Sequence, residues 1–492
     1  MTDEIKLLLG QCLAVGFDGP EMPQEYIDLI KRYKIGNVLL FKRNVHSYEQ
    51  LKKLCGEAAG LIRKETGHEP FIMTDEECGS VSRIGHIAAP TPCAMATGAT
   101  GDPHNAYILG KIAGEELRSA GINLTTAPDM DVYSNPDNVV IGNRSFGSDP
   151  RQVAVYGLEF MRGLQDAGVF PCAKHFPGHG DTAVDSHLAM PIVDKTEKEL
   201  RETELISFKA AIDAGIEAIM TAHVVVPAVD PARVPSTVSK KVMTGLLREE
   251  LGFQGLLISD GMEMNAVMNL YGIEDACRRA LDAGCDICLV CHSAQQAAST
   301  MEYLIRSVEN GALDRGVIED RAGRVIAWKK KLLPAKGGIE AFGNEAQRAA
   351  ARKIMDASIS LLHAPGGKPL PPLGAKTLFL GQPARAASQA SDALTLNAAA
   401  RFAEAFGGVC ADAHPSHEAV ENAENVVAFL SRHDDLPALT ETVCRLAAQG
   451  KPTVAVSLAT PRCLDFLPDT VWKVAGWQYD ALSVQALMDF MK

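Results

Sequence analysis

The feature that most constrains this chain is a local pattern that recurs at least four times. An apolar-periodic stretch ends in a small residue and a glycine, and a short β-prone run follows at once. Ala120-Gly121 precedes Ile122-Asn123-Leu124, and Ala167-Gly168 precedes Val169-Phe170; Ala214-Gly215 precedes residues 216–220, and Ala283-Gly284 precedes 285–290. A glycine just past a helix can take the left-handed conformation that ends it, so each repeat predicts a helix, a stop and a buried strand. Repeated at this spacing, such units build a parallel sheet with helical crossovers. Further β-prone runs lie at 12–17, 38–41, 71–74 and 255–259, with Ile27, Ile30 and Tyr33 marking a helical stripe between two of them. The strand count reaches about eight, the number of a (β/α)8 TIM-like barrel.

Polar side chains stand where these apolar runs finish: Asp75, Lys174, His175, His223, Asp260 and His292. In a β/α barrel the strand ends converge on one face, the face that carries the chemistry. Polarity also returns at ordinary strand ends, so each residue taken singly is as readily structural as functional. The pattern loosens after Ser293, and Pro334-Ala335-Lys336-Gly337-Gly338 reads as a linker. The expected organisation is a barrel domain over 1–335, a linker and connecting helix over 336–373, and a smaller α/β sandwich domain over 374–492. The last has β-prone runs at 377–380, 426–430 and 453–458 and no catalytic motif of its own.

Bulk properties exclude several classes. With a formal net charge of −13 over 492 residues, no basic excess exists to displace counterions from a phosphate backbone, so nucleic acid is not an expected partner. No apolar run reaches the roughly 18 residues of a spanning helix, and no membrane role is expected. The acidic, polar start Met1-Thr2-Asp3-Glu4-Ile5-Lys6 does not resemble a secretory signal. Twelve cysteines scattered through apolar stretches read as reduced, buried thiols. Together these point to a cytoplasmic location.

The densest polar cluster runs from Lys174 to Thr182 and on to Asp185-Ser186-His187, with three histidines at 175, 179 and 187. Its Pro177, Gly178 and Gly180 suit a loop folding over a barrel mouth, and Asp185 can orient the imidazole of His187. Zinc ligation is the weaker reading, because no helical ligand spacing accompanies the loop, and no metal is expected. Cys288-Leu289-Val290-Cys291-His292 matches a haem-attachment spacing, but strand alternation would send Cys288 and Cys291 to opposite faces. With no phosphate-binding glycine loop either, no cofactor is expected.

Residues 174–187 (KHFPGHGDTAVDSH) closely resemble the hallmark of the family 3 β-N-acetylglucosaminidases. The likeness extends through Val15-Gly16-Phe17-Asp18-Gly19, residues 36–44, Asn143-Arg144-Ser145-Phe146-Gly147, Met220-Thr221-Ala222-His223 and Ser259-Asp260-Gly261-Met262, most of the first 300 residues. Carried over residue by residue, the resemblance implies Asp260 as nucleophile, His187 as general acid/base and Asp185 as its orienting partner. It implies sugar binding by Asp75, Arg144, Lys174 and His175, with Arg83 supporting the same wall. A carboxylate that traps an oxocarbenium-like centre and a group that gives and then takes a proton are the two parts retaining hydrolysis needs. A histidine titrates near neutrality without perturbation. One segment departs from the family's Asp-Gln-Glu-Gly-Gly-Arg-Val: here it is Asp75-Glu76-Glu77-Cys78-Gly79-Ser80-Val81. Because Cys enters positive φ less freely than Gly, this loop is expected to take another path.

The resemblance implies release of terminal β-linked GlcNAc from small carbohydrates such as peptidoglycan fragments. Alternatives are a phosphorylase that resolves the glycosyl-enzyme with phosphate, and a non-catalytic sugar-binding relative. A family 3 β-glucosidase fits less well, since those relatives generally lack the His-bearing loop.

Overall fold

The computed structural model describes residues 2–182, 190–383, 396–431 and 436–492. Eight strands close a barrel: β1 (Leu13–Val15), β2 (Asn37–Leu40), β3 (Phe71–Thr74), β4 (Leu124–Thr125), β5 (Phe170–Phe176), β6 (Ala218–Thr221), β7 (Leu256–Gly261) and β8 (Ile287–Val290). Every neighbouring pair is parallel, and β1 joins β8 to seal the ring. The glycine stops are in place: Gly121 and Gly168 cap the helices His104–Ala120 and Pro150–Ala167 at φ 96° and 84°. Left-handed backbone there turns the chain straight into β4 and β5.

Alternation divides the strand side chains between two cores. Ala14, Leu39, Met73, Leu124, Cys172, Met220, Ile258 and Leu289 fill the barrel interior. Their neighbours Val15, Leu40, Ile72, Ala173, Ile219, Leu257 and Val290 pack outward against the helices. Cys288 lies in the outer core and Cys291 in the inner one, the opposite-face arrangement that speaks against a haem attachment.

Beyond the barrel, six strands among the described residues form a second sheet: β9 (Ser360–His363), β10 (Thr377–Leu380), β11 (Val409–Ala411), β12 (Asn425–Leu430), β13 (Thr453–Ser457) and β14 (Trp472–Ala475), in the order β9-β14-β13-β12-β10-β11. Only β9 runs antiparallel. It lies within the stretch expected to be linker, yet its short run joins the sheet edge. The sheet buries apolar residues on both faces, and one of those cores also takes in Cys93, Met95, Ala96 and Tyr133 from the barrel half. That shared core seats the sheet behind the loops that follow β3 and β4. No described helix is long and apolar enough to cross a membrane.

Candidate active site

The ends of the strands open into a cavity of about 550 Å³ whose lining includes Asp75, Arg83, Arg144, Lys174, His175 and Asp260. All six residues that sequence reasoning places at a sugar site within the described chain therefore meet in one space. Asp185 and His187 lie outside the described residues.

Asp75 directly follows β3. Its carboxylate accepts from Arg83 Nη2 at 3.0 Å and from Lys174 Nζ at 3.4 Å, and it also takes the Thr126 hydroxyl. Burial works to raise its pKa, but Lys174 and Arg83 override it and hold the group well below the usual carboxylate range. Lys174 comes from β5, whose pairing with β6 shifts register between Ala173 and Phe176. Simple alternation is broken there, and Lys174 and His175 both border the cavity.

Glu77 is the hub of the wall. Arg144 forks onto it through Nε and Nη2, each at 2.8 Å, and Lys174 Nζ reaches it at 2.5 Å. Burial alone would push this carboxyl up; Arg144 and Lys174 instead keep it ionised, below its ordinary value. Burial likewise opposes the Lys174 charge, and Glu77 and Asp75 more than restore it. A two-pronged Arg–carboxylate contact fixes orientation as well as charge, so the guanidinium is held in a defined plane.

Behind this wall lie Asp129 and Asp131, both buried. Asp131 Oδ2 stands 2.6 Å from His175 Nδ1, and its Oδ1 accepts the His179 amide at 2.6 Å. The carboxylate requires the proton on Nδ1. Nε2 of His175 faces Arg144 Nη2 at 3.3 Å, and since guanidinium can only donate, Nε2 is the acceptor. Burial, then Arg144, depress the His175 pKa to about 4, so the ring is neutral near pH 7. His179 is also driven to about 4, chiefly by burial. With both nitrogens engaged, His175 works as an orienting group for Arg144 rather than as a proton carrier.

The ligating atoms of Asp129, Asp131 and His175 all lie within 4.8 Å of one another, close enough to consider a metal. Arg144 Nη2 sits 3.4 Å from Asp129 Oδ2 and 3.3 Å from His175 Nε2. The guanidinium thus already supplies the positive charge, and a second cation there would face it directly.

Asp260 stands near the end of β7 with Oδ1 accepting its neighbour's amide, that of Gly261, at 2.7 Å. His223 does not line the cavity. It is fully buried, with Nδ1 2.7 Å from the Thr237 hydroxyl and Nε2 donating to the Gly261 carbonyl at 2.9 Å. It tethers the end of β7 beside Asp260, a supporting position that a strand-end pattern cannot separate from a lining one. His292 does border the cavity and stacks on Phe41 with ring centroids 5.6 Å apart.

The expectation for Cys78 is corrected. Cys78 occupies the left-handed region at φ 70° and Gly79 follows at φ 61°. Cys78 thus enters positive φ despite carrying a side chain, and that side chain, 4% exposed, is buried in the core between the hairpin Glu76–Cys78, Val81–Ser82 and the following helices. That packing offsets a backbone cost of about 1 kcal/mol. Glu76 points away into the interior, where burial lifts its pKa to about 8 and Ser82 Oγ donates to it at 2.7 Å.

Residues 4–328 match the Glycosyl hydrolase family 3 N terminal domain. The chain belongs to glycosyl hydrolase family 3. Among similar proteins, Beta-hexosaminidase A of Pseudoalteromonas piscicida is 33% identical over 375 residues, 71% of this chain and 63% of that protein, so the match spans less than two thirds of the relative. A glycoside hydrolase family 3 beta-N-acetylglucosaminidase from Paenibacillus sp. superposes with a TM-score of 0.90 at 31% identity, covering 99% of this chain and 96% of the other. NagZ of Neisseria gonorrhoeae, solved in complex with N-trifluoroacetyl-D-glucosamine, superposes at 0.58 with 29% identity, over 70% of this chain and 97% of its own.

Sequence reasoning missed Asp129 and Asp131 and gave Glu77 no role. The available signal was an acidic pair two apart, four residues beyond β4, in a stretch without apolar periodicity.

Proposed function

We propose that this family 3 protein is a retaining exo-β-N-acetylglucosaminidase that removes terminal β-linked GlcNAc from small glycosides such as peptidoglycan fragments. The observation that carries the reading is the convergence of Asp260 with the Asp75, Lys174 and Arg144 wall on one cavity of about 550 Å³. Asp75 and Lys174 are opposite charges suited to adjacent sugar hydroxyls, and Arg144 is held in a fixed plane by Glu77. Asp260 attacks the anomeric carbon and forms the glycosyl-enzyme as the aglycone leaves. His187, oriented by Asp185, protonates the departing oxygen and then deprotonates the water that releases the sugar. The relatives named beta-hexosaminidase and beta-N-acetylglucosaminidase support the same substrate class.

Residues 1–335 are read as the catalytic unit. A cytoplasmic setting agrees with twelve free thiols, ten of them buried.

The test is a panel of aryl β-glycosides differing at C2, assayed with and without phosphate. Preferential turnover of the 2-acetamido sugar, with free GlcNAc as product in both conditions, is the expected result. GlcNAc-1-phosphate as the main product would make the protein a phosphorylase. No turnover of any member would leave only a sugar-binding role.

A further inference from the structure

Hydrogen bonds tie the C-terminal sheet to the wall of the cavity at the turn after β14, and Thr460, which follows β13, lies near Gly142 of the same wall. Residues 476–480 follow β14, and the Trp477 carbonyl accepts from Asn143 Nδ2 at 2.9 Å and from Cys93 Sγ at 3.8 Å. Trp477 stands at φ 68°, and its indole Nε1 donates to the Ser358 carbonyl at 2.7 Å. Gln478, 2% exposed, accepts from the Cys93 amide at 2.5 Å and donates to the Thr91 carbonyl at 3.2 Å.

These contacts fall on two segments of the barrel half. Asn143 is the middle residue of the short 3-10 turn Gly142–Arg144, so its neighbour Arg144 inherits any shift of that turn. Thr91 Oγ1 accepts the amide of Gly79 at 3.4 Å, two residues from Glu77. One turn of the C-terminal sheet is thus joined to the backbones that carry both halves of the Arg144–Glu77 fork. The fork tolerates little motion, because two parallel hydrogen bonds of 2.8 Å demand coplanarity of the guanidinium and the carboxylate.

We propose that Asn143, held by the Trp477 carbonyl, is a positioning residue through which the C-terminal domain keeps Arg144 in register with Glu77 for sugar binding. The inference rests on the reading of Arg144 as a substrate-binding group. Asn143 touches no reacting atom; its amide hydrogen bond spans the boundary between the two halves of the chain, and its effect passes through Arg144 alone.

The full-length chain is compared with Asn143→Ala, Arg144→Lys, the double variant, and Asn425→Ala as a control. Asn425 belongs to the same C-terminal sheet but bonds to the Pro372 carbonyl, away from the turn. Hydrogen exchange over residues 138–147 is expected to quicken in Asn143→Ala and to stay unchanged in Asn425→Ala. On an aryl β-GlcNAc substrate, KM is expected to rise about tenfold in Asn143→Ala with kcat within about threefold; in the Arg144→Lys background the same substitution adds less than about twofold. Unchanged exchange overturns the anchor. Equal losses in both backgrounds, or a KM effect in Asn425→Ala as large as in Asn143→Ala, overturn the positioning role. Wild-type inactivity on the substrate contradicts the proposed function instead, and the exchange result still decides whether the anchor exists.

Discussion

Each end of the barrel buries a lysine, and the two behave in opposite ways. Lys174 at the mouth and Lys329 at the foot are both 3% exposed. Lys174 meets Glu77 at 2.5 Å and Asp75 at 3.4 Å, so its charge is more than restored. Lys329 Nζ finds neutral acceptors, Gln11 Oε1 at 2.6 Å and the Gly36 carbonyl at 2.9 Å, and burial drives its pKa down to about 7. The foot also holds the buried Asp286, but Arg248 and Arg324 already occupy it at 2.6 Å each. Burial alone therefore does not mark a working site in this fold. What marks the mouth is that its charges are kept, by partners arranged around a space large enough for a sugar.

Substituting the two lysines is the sharpest way to break this comparison. Lys174→Met is expected to lower kcat/KM on an aryl β-GlcNAc by about a hundredfold or more, through lost orientation of the ring. Lys329→Met is expected to leave kcat/KM within about twofold; a large kinetic loss from it would erase the distinction between mouth and foot. Arg144→Lys keeps the charge but loses the fork, and a rise in KM of about tenfold is expected from steady-state kinetics.

Stability against pH sharpens the contrast at the foot. Between about pH 7 and the ordinary lysine value of 10.5, the unfolded chain holds a proton at Lys329 that the folded chain has released. The unfolded state then binds more protons, so this group makes stability rise with pH across that window, and below pH 7 its full penalty applies. Denaturant titrations at pH 7 and pH 9 should show the rise in wild type and a flatter dependence in Lys329→Met. Glu76 opposes the trend: its folded pKa of about 8 lies above the ordinary 4.5, so its contribution is whole at low pH and is lost as pH climbs through 8. Glu76→Gln should therefore steepen the rise, which separates the two groups.

The smallest effect concerns Cys78. Replacing it with glycine relieves the left-handed backbone but loses a buried side chain, and the two nearly cancel, within about 1 kcal/mol. An unchanged KM is expected; a shifted KM would mean that the thiol itself shapes the sugar wall.

The barrel was legible because its signal is local. Helix, glycine and β-prone run lie next to each other in the chain, and the polar residues that follow, Asp75, Lys174, His175 and Asp260, inherit their placement from the closed sheet. The same rule could not place His223, since a strand-end residue can turn toward the axis or back onto a neighbouring strand. Asp129 and Asp131 were hidden because β4 has only two residues and the chain beyond it is irregular. In the C-terminal sheet, β9, β11 and β14 were missed: β9 and β11 are short edge strands whose exposed side chains carry little apolar pattern, and β14 is an interior strand of only four residues with Lys473 in its middle. The Trp477 contact joins residues 334 apart in sequence, a separation at which no local pattern operates.

The central claim is that Asp260 forms a covalent bond to a GlcNAc held at the barrel mouth. Incubation with a 5-fluoro derivative of N-acetylglucosaminyl fluoride, whose glycosyl-enzyme breaks down slowly, followed by intact-mass and peptide analysis, tests it directly. One sugar per chain on the peptide containing Asp260, with no adduct in Asp260→Asn, is the predicted result. An active enzyme that carries no adduct, or carries it on another residue, would contradict the account.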